Sequence, residues 1–148
     1  MIVFLKKILF LTLLLISFVT VAQPSRIYDS SRDALSDYKN ALISASSVHK
    51  NIFVIAGGNW CIYCHELEKN LKESSLDLVL ENNFILMKAN FGDGNANEGF
   101  FTLFPKFNSF PHILIISPEG QLLESTDVAS EEEFRKMLVK YTIKEAKA

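Results

Sequence analysis

Apolar side chains recur at helical spacing from residue 31 to 47, at Leu35, Tyr38, Ala41, Leu42 and Ala45, with polar residues between them. That period predicts an amphipathic helix. Ile52-Phe53-Val54-Ile55-Ala56 follows as an unbroken, β-branched-rich run that stops at Gly57-Gly58-Asn59. A short run without alternation is expected of a strand buried on both faces. From Trp60 to about Leu80 the pattern is helical again, with Cys64, Leu67 and Leu71 on one face and a break at Ser74-Ser75, and Phe84 to Met87 reads as a second strand.

The stretch from Phe91 to Asn108 is rich in glycine, asparagine and phenylalanine, and a short helix is expected near Glu98 to Phe104, ended by Pro105. Ile113 to Ile116 is a third strand. Ser117-Pro118-Glu119-Gly120 turns the chain, and Gln121 to Glu124 returns as its antiparallel partner. Ser130 and Glu133 form a capping box ahead of Phe134, Met137, Leu138 and Tyr141, which carry the spacing of a last amphipathic helix. The order α, β, α, β, α, β, β, α implies an α/β fold. A βαβ unit and a ββα unit share a central mixed four-stranded sheet flanked by helices, with an extra helix at the N-terminus.

The beginning of the chain stands apart from this pattern. Residues 1–22 hold no acid, place Lys6 and Lys7 before an apolar run from Ile8 to Ala22, and end in Thr20-Val21-Ala22. They read as a secretory signal peptide, shorter than the roughly 20 apolar residues of a spanning helix. Residues 23–148 are then one domain, periplasmic or secreted, with no stable membrane insertion after cleavage, and Gln23 to Asp29 is a polar leader to it. Composition narrows the function. Fifteen Lys and Arg against 17 Asp and Glu give a net charge of −2, which offers no electrostatic footprint for nucleic acid. The two cysteines, Cys61 and Cys64, cannot form a multi-disulfide scaffold or a four-cysteine metal site.

Those two cysteines lie in Trp60-Cys61-Ile62-Tyr63-Cys64-His65, where a buried strand passes through two glycines into a helix. Cys61 is expected in the first helical turn, where orphan N–H groups stabilise a thiolate, the attacking species of disulfide exchange. Cys64 lies one turn deeper on the same face, less exposed and within reach, so Cys61 attacks and Cys64 resolves. Other chemistries share these letters. Cys61-x-x-Cys64-His65 is also a c-type haem attachment sequence, with Met87, Met137 or His112 as a distal ligand. Cys61, Cys64, His65 and His112 together could form a zinc site, and a purely structural disulfide in a non-catalytic binding module is the remaining reading.

With the strand before it and three strands after it, the motif resembles the thioredoxin superfamily, and within it secreted thioredoxin-like proteins and the C-terminal domain of the periplasmic thiol:disulfide interchange protein. The resemblance runs from about Lys50 to Tyr141. It rests on Trp60-Cys61-x-x-Cys64 after the first strand, Phe110-Pro111 before the third, and the closing hairpin and helix. It implies a thiol–disulfide oxidoreductase with catalytic Cys61 and Cys64, supported by Trp60, Glu68 and Pro111. The proline would be cis and would line the groove that receives a substrate strand. Protein thiols and disulfides are the implied partners, with a membrane electron donor among them, and no cofactor is required because the dithiol carries the electrons. One departure bears on mechanism: thioredoxins usually place an Asp where this chain has Ile55, and Glu68, four residues beyond Cys64, is expected either to replace it in part or to be a solvated carboxylate on a helix that also bears Glu66, Lys69 and Lys72. Ile62-Tyr63 offers no obvious thiolate donor between the cysteines, which favours a reducing role.

Beside the dithiol, His65 is expected either to face solvent or to favour the Cys61 thiolate, and His112 is expected either to end a strand without a role or to touch a bound partner beside Pro111. Phe91, Phe100, Phe101, Phe104, Phe107 and Phe110 are expected to serve mainly as core and loop packing, with a partner-binding surface as the alternative.

Overall fold

The computed structural model describes residues 26–92, 94–127 and 130–143. The leader of residues 1–22 lies outside them. In chain order the elements are α1 (Ala34–Val48), β1 (Ile52–Gly57), α2 (Ile62–Glu73), α3 (Leu76–Asn83), β2 (Ile85–Asn90), α4 (Glu98–Phe101), β3 (His112–Ile116), β4 (Leu122–Asp127) and α5 (Glu131–Tyr141). The sheet order is β2-β1-β3-β4, with β1 parallel to β2 and antiparallel to β3, and β3 antiparallel to β4. This is the expected mixed four-stranded sheet. No helix among the described residues is long and apolar enough to cross a membrane.

β1 explains the layering. All of its residues are buried, because successive side chains of a strand point to opposite faces and both faces here are covered. Ile52 and Val54 join Met87, Leu114 and Ile116 under α1, whose Ala34, Tyr38, Ala41 and Ala45 form its inward stripe. Phe53 and Ile55 face the other way, among Leu71, Leu76, Leu80, Phe84, Ile113, Ile115, Phe134 and Leu138. The Phe53 ring meets Phe84 and Phe134 edge-on at 5.3 and 5.6 Å.

Element boundaries differ from the expectations where polar residues hide a strand or a cap. Asp33 accepts from the Leu35 amide, so α1 begins three residues later than its apolar period suggests. β2 continues past Met87 through Lys88, Ala89 and Asn90 because these pair with Ile55, Ala56 and Gly57. β4 runs on to Asp127, and its polar Ser125, Thr126 and Asp127 carry no hydrophobic signal because an edge strand is exposed. The helical stretch after Trp60 breaks as expected at Ser74-Ser75, where Ser75 takes a left-handed conformation between α2 and α3. α4 is only one turn long, and Ser130 caps α5 by accepting from the Glu133 amide at 3.2 Å.

The described part of the polar leader is a correction. Tyr28 is 3% exposed and packs against the two cysteines. One aromatic residue among polar neighbours carries no period, so nothing in its surroundings marks it as buried.

Candidate active site at the Cys61–Cys64 turn

β1 delivers the chain to the site through Gly57 and Gly58, and both must lack a side chain. A Cβ on Gly57 would lie 2.5 Å from Cys64 Sγ and 2.6 Å from Tyr28 Oη; one on Gly58 would collide with the Trp60 ring and stand 2.8 Å from the Phe91 carbonyl oxygen. The chain then turns, with the Cys61 amide donating to the Gly58 carbonyl at 3.0 Å, and α2 begins. Cys61 is not inside the first turn. It is the N-cap residue, in extended conformation, and its Sγ accepts from the Cys64 amide at 3.1 Å. The helix therefore presents an N–H directly to the sulfur, which is where an anion is best stabilised.

Cys61 and Cys64 form a disulfide with their Cα atoms 5.2 Å apart. Both are buried, at 4% and 2% exposure, so the expected contrast between an open first cysteine and a covered second one is slight in this oxidised state. Exposure lies instead on their neighbours: Trp60, Ile62 and Tyr63 are 51%, 75% and 66% exposed.

Trp60 is held at the rim. Its Nε1–H donates to the Phe91 carbonyl at 2.7 Å, and its ring meets Phe110 edge-on at 5.5 Å. Phe91 stacks on Phe110 at 4.9 Å. The phenylalanines thus divide. Phe100 is in the core, with Phe101, Phe104 and Phe107 packed against it, whereas Phe91 and Phe110 join Trp60 in a partly exposed aromatic arc.

The Phe110–Pro111 peptide is cis, as the resemblance implied. Pro111 is buried, and with Phe110 and Ser109 it lines a groove of about 460 Å³ whose other walls include Tyr63, Leu67, Leu71 and Phe134. His112, beyond it, is not a strand-end bystander. It is 5% exposed, stacks on Phe107 at 3.8 Å, and joins Asp127 and Ser125 through its two ring nitrogens at 2.8 and 2.9 Å. Asp127 also accepts from the Ser109 hydroxyl. Those two hydrogen bonds, Ser109's first, hold its carboxyl below the usual carboxylate range and tie the Pro111 loop to β4.

Ligand sets for the metal readings are not brought together. His65 Nε2 is 2.9 Å from the Asn59 carbonyl, to which it donates, while His112 is engaged on β3. Met87 and Met137 pack on opposite faces of the sheet. Among the described residues, no group of three or more His, Cys, Asp or Glu could hold a metal ion.

The family model described as thioredoxin-like matches residues 33–118. The chain belongs to the thioredoxin-like family. Solved structures share its fold. A disulphide isomerase from Xylella fastidiosa Temecula1 superposes with a TM-score of 0.71 at 21% identity, covering 82% of this chain and 100% of that one. The oxidised C-terminal domain of DsbD from Neisseria meningitidis gives 0.58 at 14% identity, covering 72% and 95%. The oxidoreductase DsbH gives 0.55 at 16% identity, covering 85% and 90%. No curated protein sequence matches the chain. Family, fold and the Cys61-x-x-Cys64 pair together support a thiol–disulfide oxidoreductase.

Beneath the dithiol of this thioredoxin-like site lie groups that sequence reasoning missed or read differently. Ile55, where thioredoxins usually carry an Asp, sits 3% exposed among the buried apolar residues under α2 and α5. Glu68 is not a solitary carboxylate: it pairs with Lys88 at 2.6 Å and Lys72 at 3.3 Å. Burial opposes its ionisation, but the hydrogen bonds and charges of the two lysines outweigh that and hold its pKa below the usual value. Asn59 reads in the sequence as a turn residue after two glycines. Its Oδ1 accepts from the Ile27 and Tyr28 amides at 3.0 and 3.1 Å, and its Nδ2 donates to the Tyr28 carbonyl at 2.8 Å. This clamp fixes Tyr28 against the cysteines, and only its position after Gly57-Gly58 could have hinted at it.

Proposed function

We propose that the protein exchanges disulfides with cysteines of protein substrates outside the cytosol, acting as a reductase. Cys61 thiolate attacks a substrate disulfide, one substrate sulfur leaves as a thiolate, and the other remains joined to Cys61. Cys64 then loses its proton, attacks Cys61 Sγ, and releases the second substrate sulfur while the Cys61–Cys64 bond forms. The observation that carries this reading is the disulfide itself, capped onto α2 with an amide donating to Cys61 Sγ and bordered by the Pro111 loop. The helix N-terminus favours Cys61 as the thiolate.

Trp60 and Pro111 support partner binding: the first within the exposed aromatic arc, the second within the groove, where an extended substrate segment would lie. Export follows from the basic and apolar leader of residues 1–22. A secreted reductase needs a source of electrons, and a membrane electron donor would supply them to the Cys61–Cys64 disulfide.

Trapping tests the order of attack. Cys64→Ser should leave Cys61 stranded in mixed disulfides that can be isolated from the native compartment, and Cys61→Ser should capture far less. Equal capture by both variants overturns the assignment. Equilibration with glutathione tests direction, and a potential well above about −180 mV would overturn the reductase preference.

A further inference from the structure

Tyr28 lies 31 residues before Asn59 in sequence and directly beneath the dithiol in space. A side-chain atom on Gly57 would touch Cys64 Sγ and Tyr28 Oη at once, at 2.5 and 2.6 Å, so sulfur and hydroxyl are near neighbours over the same glycine. Tyr28, Cys61 and Cys64 form one buried cluster, packed by Ile27 and Phe110. The Tyr28 backbone is tied down through Asn59. The position that usually supplies a polar group to the second cysteine holds Ile55, which cannot donate or accept.

We propose that Tyr28 is a hydrogen-bond donor to the Cys64 thiolate, doing from the N-terminal segment what an acid in β1 cannot do in this chain. The inference rests on disulfide exchange through Cys61 and Cys64. When a thiolate attacks Cys61 Sγ, the Cys61–Cys64 bond breaks and its electron pair goes to Cys64 Sγ. The Tyr28 O–H turns to that sulfur and keeps its proton. In the reverse direction the same hydrogen bond lowers the proton affinity of Cys64, so that more of it is thiolate when it attacks Cys61.

The groups around this pair favour a donor over a base. Burial raises the Tyr28 pKa well above its ordinary value, and the Glu68 carboxylate on α2 raises it further. Lys88 on β2 and Lys72 on α2 neutralise Glu68, and His65 is occupied by the Asn59 carbonyl. Tyr28 therefore stays protonated through the range in which thiols titrate. A hydroxyl that cannot ionise can still stabilise an anion beside it.

The test is the pH dependence of Cys64 alkylation by iodoacetamide in Cys61→Ala and in Cys61→Ala/Tyr28→Phe. Removing the hydroxyl should raise the Cys64 pKa by about one unit, leaving roughly tenfold less thiolate at a given pH below it. In the two-cysteine protein, Tyr28→Phe should slow opening of the disulfide by dithiothreitol about tenfold. It should leave attack by Cys61 on an aromatic disulfide unchanged in a Cys64→Ser background. Coincident Cys64 titrations overturn the proposal. Should the phenylalanine variant not fold, 3-fluorotyrosine at position 28 keeps the ring and offers a more acidic donor, and must shift the Cys64 pKa downward; an unchanged or raised value overturns the proposal. The titration needs no turnover. A shifted pKa in a protein that exchanges with no protein substrate would overturn the proposed function and sustain Tyr28's role, and normal exchange with an unshifted pKa would do the reverse.

Discussion

The solvent side and the buried side of the Cys61–Cys64 bond are built from different materials. Above it stand Trp60, Phe91 and Phe110, ring against ring and partly open to water, with Ile62 and Tyr63 more exposed still. Below it, Tyr28 is buried beside Cys64 and held by Asn59, and the Glu68 carboxylate on α2, itself paired with Lys88 on β2, is close enough to raise the tyrosine's pKa. Exposed apolar surface is suited to recognising a partner, since covering it is favourable whichever chain does so. Polar groups on the covered side are suited to acting on the sulfurs, because in a low dielectric a single hydrogen bond or charge is felt strongly. The two sides should therefore separate experimentally into partner affinity and sulfur chemistry.

The largest departure from that separation would come from the layer beneath both sides. Phe53→Ala removes a fully buried ring that touches Phe84 and Phe134 and should cost about 3–5 kcal/mol of stability. Denaturant unfolding measures the loss, and the redox potential of the protein that remains folded should be unchanged. A shifted potential would mean that the core and the dithiol are coupled.

A smaller effect is expected from the clamp. Asn59→Ala deletes the hydrogen bonds to Ile27 and Tyr28 and should cost roughly 1–3 kcal/mol. It should also reproduce part of the Cys64 pKa rise expected of Tyr28→Phe, because it releases the segment that positions the hydroxyl. On the solvent side, Trp60→Ala should raise KM for a protein substrate several-fold while leaving the Cys64 titration in place. A change in that titration would show that the two sides are not independent.

Glu68→Gln is the smallest in stability and the most informative about pH. The folded-state pKa of Glu68 lies below its ordinary value, so its ion pairs stabilise the protein above the ordinary carboxylate range, and that contribution disappears as pH falls through the lowered value. The variant should therefore be less stable than the parent by about 1 kcal/mol at neutral pH, and the two unfolding midpoints should converge in acid. If Glu68 also acts on Cys64, resolution should slow while initial attack by Cys61 stays nearly constant. Unchanged resolution from about pH 6 to 9, around the ordinary thiol pKa, would confine Glu68 to its ion pairs.

The elements that were legible in the sequence are those whose side chains carry their own period. β1 announced itself as an unbroken apolar run, α5 by its capping box and spacing, and the Cys-x-x-Cys by its place after a strand and two glycines. Less visible were the polar ends of β2 and β4, which are strands because Gly57 and His112 lie opposite them, not because Asn90 or Asp127 prefers to be extended. The role of Cys61 as a cap was likewise displaced by one residue, since helix ends depend on which amide meets which acceptor.

Local order and local chemistry were thus determined by the sequence itself, because strand burial, helix period and a two-residue cysteine spacing involve neighbours within one element. The tertiary structure alone decided what stands under the sulfurs. Tyr28, Asn59, Glu68 and Lys88 are far apart along the chain and carry no common pattern, and they meet at the end of β1 because the sheet order β2-β1-β3-β4 makes that strand central and leaves room above two glycines for whatever the rest of the fold brings there.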